Sequence, residues 1–141
     1  MFRRVIEMFK VYRLLDRDEF EQMLVQLKRT GDFKSIMDRS AIYFKINKKG
    51  IGVYVVKHKG DVQLRIGLKV SDWDEQYVLS LQDKVGLCLP GTTYYSFRPK
   101  ENEFETILDC LDALLEKEGK DYHQLVMKGT NVDPSIWYIK Y

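Results

Sequence analysis

Residues 41–70 read AIYFKINKKGIGVYVVKHKGDVQLRIGLKV, and the apolar spacing in this stretch decides the fold. Ile42, Phe44 and Ile46 alternate with Tyr43 and Lys45. Ile51, Val53 and Val55 alternate with Gly52, Tyr54 and Val56. Val62, Leu64, Ile66, Leu68 and Val70 alternate with Gln63, Arg65, Gly67 and Lys69. Successive side chains of a strand point to opposite faces, so a period of two sustained this long predicts three strands with one buried face. Two basic turns containing glycine join them, Asn47-Lys48-Lys49-Gly50 and Lys57-His58-Lys59-Gly60-Asp61. The other face carries Tyr43, Lys45, Tyr54, His58, Arg65 and Lys69, a basic surface with aromatic rings among the charges.

On the N-terminal side, residues 2–15 fit a helix with Phe2, Ile6 and Phe9 on one side and Arg3, Arg4, Lys10 and Arg13 largely opposite. A second helix is expected from an Asp18 cap, paired with Glu21 in the manner of a capping box, through Phe20, Met23, Leu24 and Leu27 to Gly31. A short helical piece over 33–39 leads into the sheet. Beyond the strands, Ser71 and Asp74 predict the start of a helix that presents Trp73, Tyr77, Val78 and Leu81 on one face. The competing reading of 77–89 is a hairpin, because VLSL and VGLCL also alternate; the acidic first turn favours the helix. Pro90-Gly91 marks a turn, and TTYYSFR after it reads as a strand stopped by Pro99. Asn102 caps the clearest helix, whose stripe of Phe104, Ile107, Leu108, Leu111, Leu114 and Leu115 ends at Gly119. A shorter helix is expected over 122–127, and the tail IWYIKY alternates as a last strand. No linker or repeat interrupts this order. The expectation is one α+β domain over residues 1–141, with a small, mainly antiparallel sheet packed against helices on one face. Residues 1–40 form its helical part, 41–70 the meander and 71–141 the mixed remainder.

The length of 141 residues suits one ordinary domain with a core of its own. Charged residues at 31% and apolar residues at 45% are the proportions of a globular chain, which excludes disorder. A net charge of only +2 gives little bulk support to nucleic-acid binding, so the distribution has to carry that argument. Lys45, Lys48, Lys49, Lys57, Lys59, Arg65 and Lys69 stand against Asp61 in the strand region, whereas Glu101, Glu103, Glu105, Asp109, Asp112, Glu116, Glu118 and Asp121 crowd the stretch that follows. The molecule is therefore expected to be electrostatically two-sided. Cys88 and Cys110 are too few for a disulfide framework and read as reduced and partly buried. No stretch approaches the ~20 apolar residues that span a bilayer. Glu7, Lys10 and Arg13 interrupt any signal-peptide core near the start, so a cytoplasmic location and no membrane partner are the expectation.

Chemical motifs are sparse. Neither cysteine is flanked as a nucleophile, and Cys110 lies beside an apolar helical stripe where it serves as a small hydrophobe. His58 and His123 are far apart and no CxxC occurs, so no metal site is expected. Asp72, Asp74 and Glu75 are better explained as charges in a first helical turn than as magnesium ligands. Gly50-Ile51-Gly52 lacks the third glycine and the following helix of a dinucleotide fingerprint. No cofactor and no enzymatic activity are expected.

The order of three strands, helix, Pro-Gly turn, strand and apolar helix over residues 42–116 resembles the MmcQ/YjbR-like family. The matching residues are IGLKV at 66–70, and Pro90-Gly91 followed by Tyr94, Tyr95, Phe97 and the helix with Leu108, Leu111 and Leu114. The chain departs from that pattern where MDRSA replaces an acidic-Pro-Trp-Gly lead-in and Ser96-Phe97 replaces a His-Trp pair. The resemblance implies an α+β fold similar to the double wing of some DNA-binding proteins, with DNA binding and no established active site.

Lysine and arginine neutralise phosphates while exposed rings stack on bases. The basic face and hairpin tips thus point to a nucleic-acid partner bound by Tyr43, Lys45, Lys48, Lys49, Tyr54, Lys57, His58, Lys59, Arg65 and Lys69. A bland reading competes: the wet face of an antiparallel sheet is ordinarily polar, and lysine deters edge-to-edge aggregation. So does a different function, a protein-interaction module of inhibitor or immunity type, anchored on exposed tyrosines and Trp137.

Overall fold

The computed structural model describes residues 16–32, 41–58, 60–99 and 101–130, with the side chains of residues 30–32, 58, 129 and 130 outside that description. The expected helices over 2–15 and 33–39 and the expected strand over 136–141 fall outside the described residues. The chain forms the α+β fold that the alternation implies: a six-stranded antiparallel sheet in the order β4-β5-β3-β2-β1-β6, with helices on one face.

The central meander consists of β1 (Ala41–Ile46), β2 (Lys49–His58) and β3 (Asp61–Lys69). Both of its turns are tighter than the sequence suggests. Ile46 pairs directly with Lys49 around Asn47 and Lys48, which take φ of 47° and 69°. This two-residue turn matches the right-handed twist of its strands. Gly50 consequently lies inside β2 rather than closing the turn. His58 pairs with Asp61 around Lys59-Gly60, with Gly60 supplying a φ of 85°. Ile42, Phe44, Ile46, Ile51, Val53, Leu64, Ile66 and Leu68 are all buried on the inner face, as the alternation requires.

Two long helices cover that face. In α1 (Arg17–Asp32), Phe20, Met23, Leu24 and Leu27 point inward. Its cap is Asp16, not Asp18: the Asp16 carboxylate accepts from the Glu19 N–H at 2.8 Å and its carbonyl from the Phe20 N–H at 3.1 Å. Asp18 and Glu19 then occupy the first turn, where negative charge complements the helix dipole. The second long helix, Glu103–Glu118, follows the sequence reading closely. Asn102 accepts from the Phe104 and Glu105 N–H groups, and Gly119 ends the helix at φ 66°. Ile107, Leu108, Cys110, Leu111, Leu114 and Leu115 close the core. Each fully buried large apolar side chain contributes ~1.5–3 kcal/mol relative to exposure.

The segment between these parts divides the two readings of 77–89. Helix α2 (Glu75–Ser80) and helix α3 (Gln82–Val85) precede a short β4 (Cys88–Leu89), which pairs with β5 (Tyr94–Phe97). Numbered with these, Glu103–Glu118 is α4. The cap of α2 is Asp74, which accepts from the Tyr77 N–H at 3.1 Å; Ser71 is not the cap. The reason is that Asp72 and Trp73 are committed elsewhere. The Asp72 carboxylate accepts from the Gly50 N–H at 2.8 Å, and the Trp73 indole N–H donates to the Gly50 carbonyl at 2.8 Å. Together they satisfy the backbone of β2 where β3 has ended.

After α4 the expected helix over 122–127 is a single 3-10 turn, Tyr122–Gln124, capped by Asp121. β6 (Val126–Thr130) follows and pairs antiparallel with β1. The free edge of β1 outweighs the helical spacing here: Met127 packs on the core while Val126 stays exposed, which is strand alternation. Gly129 is a strand residue opposite Tyr43.

Replacing Trp73 by Phe keeps the ring but removes the indole donor, leaving the Gly50 carbonyl without its partner. The expected cost is ~1–3 kcal/mol, read as a lower denaturant midpoint with an unchanged m value. An unchanged midpoint would show that the indole hydrogen bond does not stabilise the β2 edge.

Candidate functional site

The described helices all pack on the inner face, and among the described residues no helix covers the outer face of the sheet. Its residues run in cross-strand rows fixed by register. One row holds Lys45 opposite Gly50 and Lys69 opposite Tyr94. The next runs Tyr43, Gly52, Gly67 and Ser96, and the third Ala41, Tyr54 and Arg65. Tyr43 and Tyr54 are thus diagonal neighbours. Glycine occupies the centre of two successive rows, and tyrosine rings lie over it.

Tyr43 from β1 and Tyr94 from β5 each reach within 3.5 Å of the point where a Gly52 Cβ would stand. Their ring centroids are 6.4 Å apart and tilted by 31°. Tyr54 crosses β3 above Gly67, and its hydroxyl hydrogen-bonds to Ser96 Oγ. Tyr94 is held from below by the turn that precedes it. The Val70 N–H donates to the Thr93 carbonyl at 2.9 Å, and a Cβ on Gly91 would stand 2.5 Å from the Tyr94 carbonyl oxygen, so only glycine fits there. The result is a recess of about 260 Å³ lined by Tyr43, Tyr54, Tyr94, Gly52, Ala41 and the exposed Thr92 and Thr93. Burial, with the proximity of Tyr43, Asp72 and Tyr54, pushes the Tyr94 hydroxyl above the ordinary tyrosine range, so it stays protonated as a donor at neutral pH.

The residues singled out from sequence divide between locations. Tyr43, Lys45, Tyr54, Arg65 and Lys69 share the open face by register, and Arg65 also donates to Gln63 Oε1 at 2.9 Å. Lys48 is exposed at the hairpin tip. Lys49 turns the other way: its ammonium pairs with Glu118 at 3.1 Å and sits 5.1 Å from the Trp73 ring centroid, on the helix side. Lys57 is exposed and shares the parity of Val53 and Val55, away from the tyrosines. Lys59 and the His58 side chain lie outside the described residues. Two acids border the open face, Asp61 at the far end of β3 and Asp72 beside Gly50.

Tyr94, Ser96, Thr92, Thr93, Gly52 and Gly67 were not among the sequence candidates. Their signal was present in the parity: Gly52 and Gly67 fall on the same face as the tyrosines, and Tyr94 alternates with Ser96 after Pro-Gly.

Elsewhere the titratable groups serve packing. Burial pushes the Cys110 thiol well above its usual range, and burial with Glu75 nearby also raises Cys88. Among the described residues, no cluster of three His, Cys or carboxylate groups could hold a metal ion, and no helix is long and apolar enough to cross a membrane. Desolvation pushes Glu118 up, but hydrogen bonds from Asn47 and Lys49 and the charges of Lys49 and Lys117 outweigh it, so its carboxyl sits below the ordinary value. The stability this confers is present above the unfolded-state value near 4.5 and is lost as pH falls through the lowered folded value. Glu118→Gln is therefore expected to be less stable than the parent at neutral pH, with the gap closing on acidification below about pH 4 in paired melting curves. A gap that persists into acid would show that the charge of Glu118 is not what ties the β1–β2 turn to α4.

Comparison of the chain with family models, with curated proteins and with solved structures found no match, which leaves the site's own geometry as the ground for a functional reading.

Proposed function

We propose that the protein binds nucleic acid through the open face of the sheet, without catalysing a reaction on it. The observation that carries this reading is the juxtaposition of cations and rings on one surface that no described helix covers. Lys45 and Lys69 flank Gly50, and one row away the rings of Tyr43 and Tyr94 converge over Gly52. Lysines at that spacing suit successive phosphates, and aromatic rings beside them offer stacking surfaces that every base can use. The acid-rich helix α4 contributes to the other side of the molecule, where Asp112, Glu103 and Glu118 bind Arg17, Lys28 and Lys49. We take the protein to work in the cytoplasm, where the buried, unpaired Cys88 and Cys110 remain thiols. The partial resemblance to MmcQ/YjbR-like proteins agrees with this reading by analogy of element order alone.

The test is a titration of single-stranded and duplex DNA at low and at physiological salt. Affinity is expected to fall steeply with salt, and Lys45→Ala and Lys69→Ala each to reduce the log–log slope by ~0.7–0.9. Lys48→Gly should lower the slope without loss of stability, because glycine accepts the φ of 69° at that position better than lysine does. Lys49→Ala should leave the slope nearly unchanged, since its charge is spent on Glu118. Asp72→Asn, which keeps an acceptor for the Gly50 N–H but removes a negative charge near Lys69, is expected to tighten binding. Absence of binding at low salt would overturn the reading and turn attention to the tyrosines as anchors for a protein partner.

A further inference from the structure

We infer that the recess beside the Tyr43 and Tyr94 rings accepts one unpaired nucleobase, with the adjoining phosphate held by Lys45 and Lys69. The inference rests on the nucleic-acid reading above and narrows it to single strands.

Size is the first ground. At about 260 Å³ the recess falls just short of the ~300–1,000 Å³ of pockets that enclose a whole small-molecule ligand. It suits a single ring system whose remainder lies outside. The lining is the second. Tyr43, Tyr54 and Tyr94 supply aromatic surface, Thr92 and Thr93 supply hydroxyls that donate or accept, and no charged residue is present. Such a lining recognises a flat, neutral group with polar edges. Charge enters one row away, at Lys45 and Lys69. Rows on one face are two residues apart along a strand, roughly 6.6 Å, the reach of one sugar between a base and its phosphate. Asp72 shares that row, and its carboxylate would stand 3.1 Å from a Gly50 Cβ. It accepts the Gly50 N–H, and the Lys69 stem crosses the same point with Cβ and Cδ also at 3.1 Å, so Gly50 itself is covered and the lysines supply charge beside it.

The floor is the third ground. Gly52 has no positive φ, and a Cβ there would meet the Tyr43 and Tyr94 rings at 3.5 Å. Gly52 is buried beneath those rings, and atoms beyond a Cβ would drive into them. Gly67 differs, because a Cβ there would be 3.2 Å from both Tyr54 and Tyr94. Glycine at 67 is explained by the tyrosines it carries. Glycine at 52 lets Tyr43 and Tyr94 settle close to the strand, and the recess lies beside their rings. A base stacked and paired within a duplex presents only its edges in the grooves, so the ring that enters must come from an unpaired strand.

The probes are a labelled pyrimidine oligonucleotide and an abasic oligomer of equal length, each titrated at low salt. The parent protein is expected to bind the base-bearing strand about tenfold or more tighter than the abasic one. Gly52→Val, which fills the floor, and Tyr43→Leu, which removes a ring but keeps apolar bulk, should each erase that difference while the salt slope stays as in the parent; melting curves confirm that each variant is folded. Equal, salt-dependent binding of both strands by the parent would overturn the base pocket and leave the electrostatic reading standing. Failure of either strand to bind would overturn both. A base preference that survives in both folded variants would overturn the assignment of the pocket to this recess.

Discussion

The β2–β3 hairpin is the constraint on which the rest of the molecule depends. Its ladder runs from Ile51 opposite Leu68 to His58 opposite Asp61, and every backbone group along its two outer edges needs a partner. β1 covers one edge from residue 49 to 54 and β5 covers the other from 66 to 69. Where a strand stops, side chains stand in for it. At one end, beyond the last rung between β2 and β3, Asp72 and Trp73 take the N–H and carbonyl of Gly50. Near the other, Glu103 accepts the Leu64 N–H at 3.3 Å while it also pairs with Lys28 of α1. One carboxylate in the first turn of α4 therefore joins a strand edge, a second helix and its own helix dipole. An edge closed in this way also offers no template for another chain.

The same economy explains the division of charge. Several acids of α4 are engaged with bases on neighbouring elements. Asp112 accepts from Arg17 at 3.0 Å and from the Tyr122 hydroxyl, Asp109 lies 3.8 Å from the same guanidinium, and Glu118 holds Lys49. Exposed pairs of this kind contribute only ~0–1 kcal/mol each. Their larger effect is to hold α1, α4 and the first hairpin turn in register around a core that burial has already stabilised. A net charge of +2 conceals this partition, because bases and acids that neutralise each other on the helical side count equally with Lys45, Arg65 and Lys69 on the open side.

The legible parts of the sequence were those governed by local physics. Alternation over 41–70 identified the strands and the buried residues of each, and Asn102 with Gly119 bounded α4, because caps and periodicity act within a few residues. The errors arose wherever a distant partner decided. Asp72 and Trp73 delay the start of α2 because Gly50, 22 residues earlier in the chain, needs them. Residues 126–130 are a strand because β1 has a free edge, a fact that no window around Val126 contains. Lys49 shares the parity of Ile51 and Val53 and so lies on the helix side, where its partner Glu118 is 69 residues away in sequence. Tyr94 joins Tyr43 only once β5 is placed beside β3. A reader with the sequence alone could still have seen that Gly50, Gly52 and Gly67 share a parity with the tyrosines, which is the mark of a face shaped to receive rings.

A purely structural account of the open face is available and explains part of it. Glycine in a strand is costly, and an aromatic ring laid across it restores some of the lost burial. Tyr54 above Gly67, closed by its hydrogen bond to Ser96, is such a repair and needs no ligand. That account is partial at the next glycine. Gly52 is buried beneath Tyr43 and Tyr94, yet the rings are tilted by 31°, Tyr43 remains 37% exposed, and Thr92 and Thr93 are exposed at the rim. Alternating valine and threonine would cover the same strands at lower cost, without a recess and without lysines beside it. The face thus combines a glycine sealed by Tyr54 and Ser96 with a second that lies beneath two rings and leaves a recess beside them.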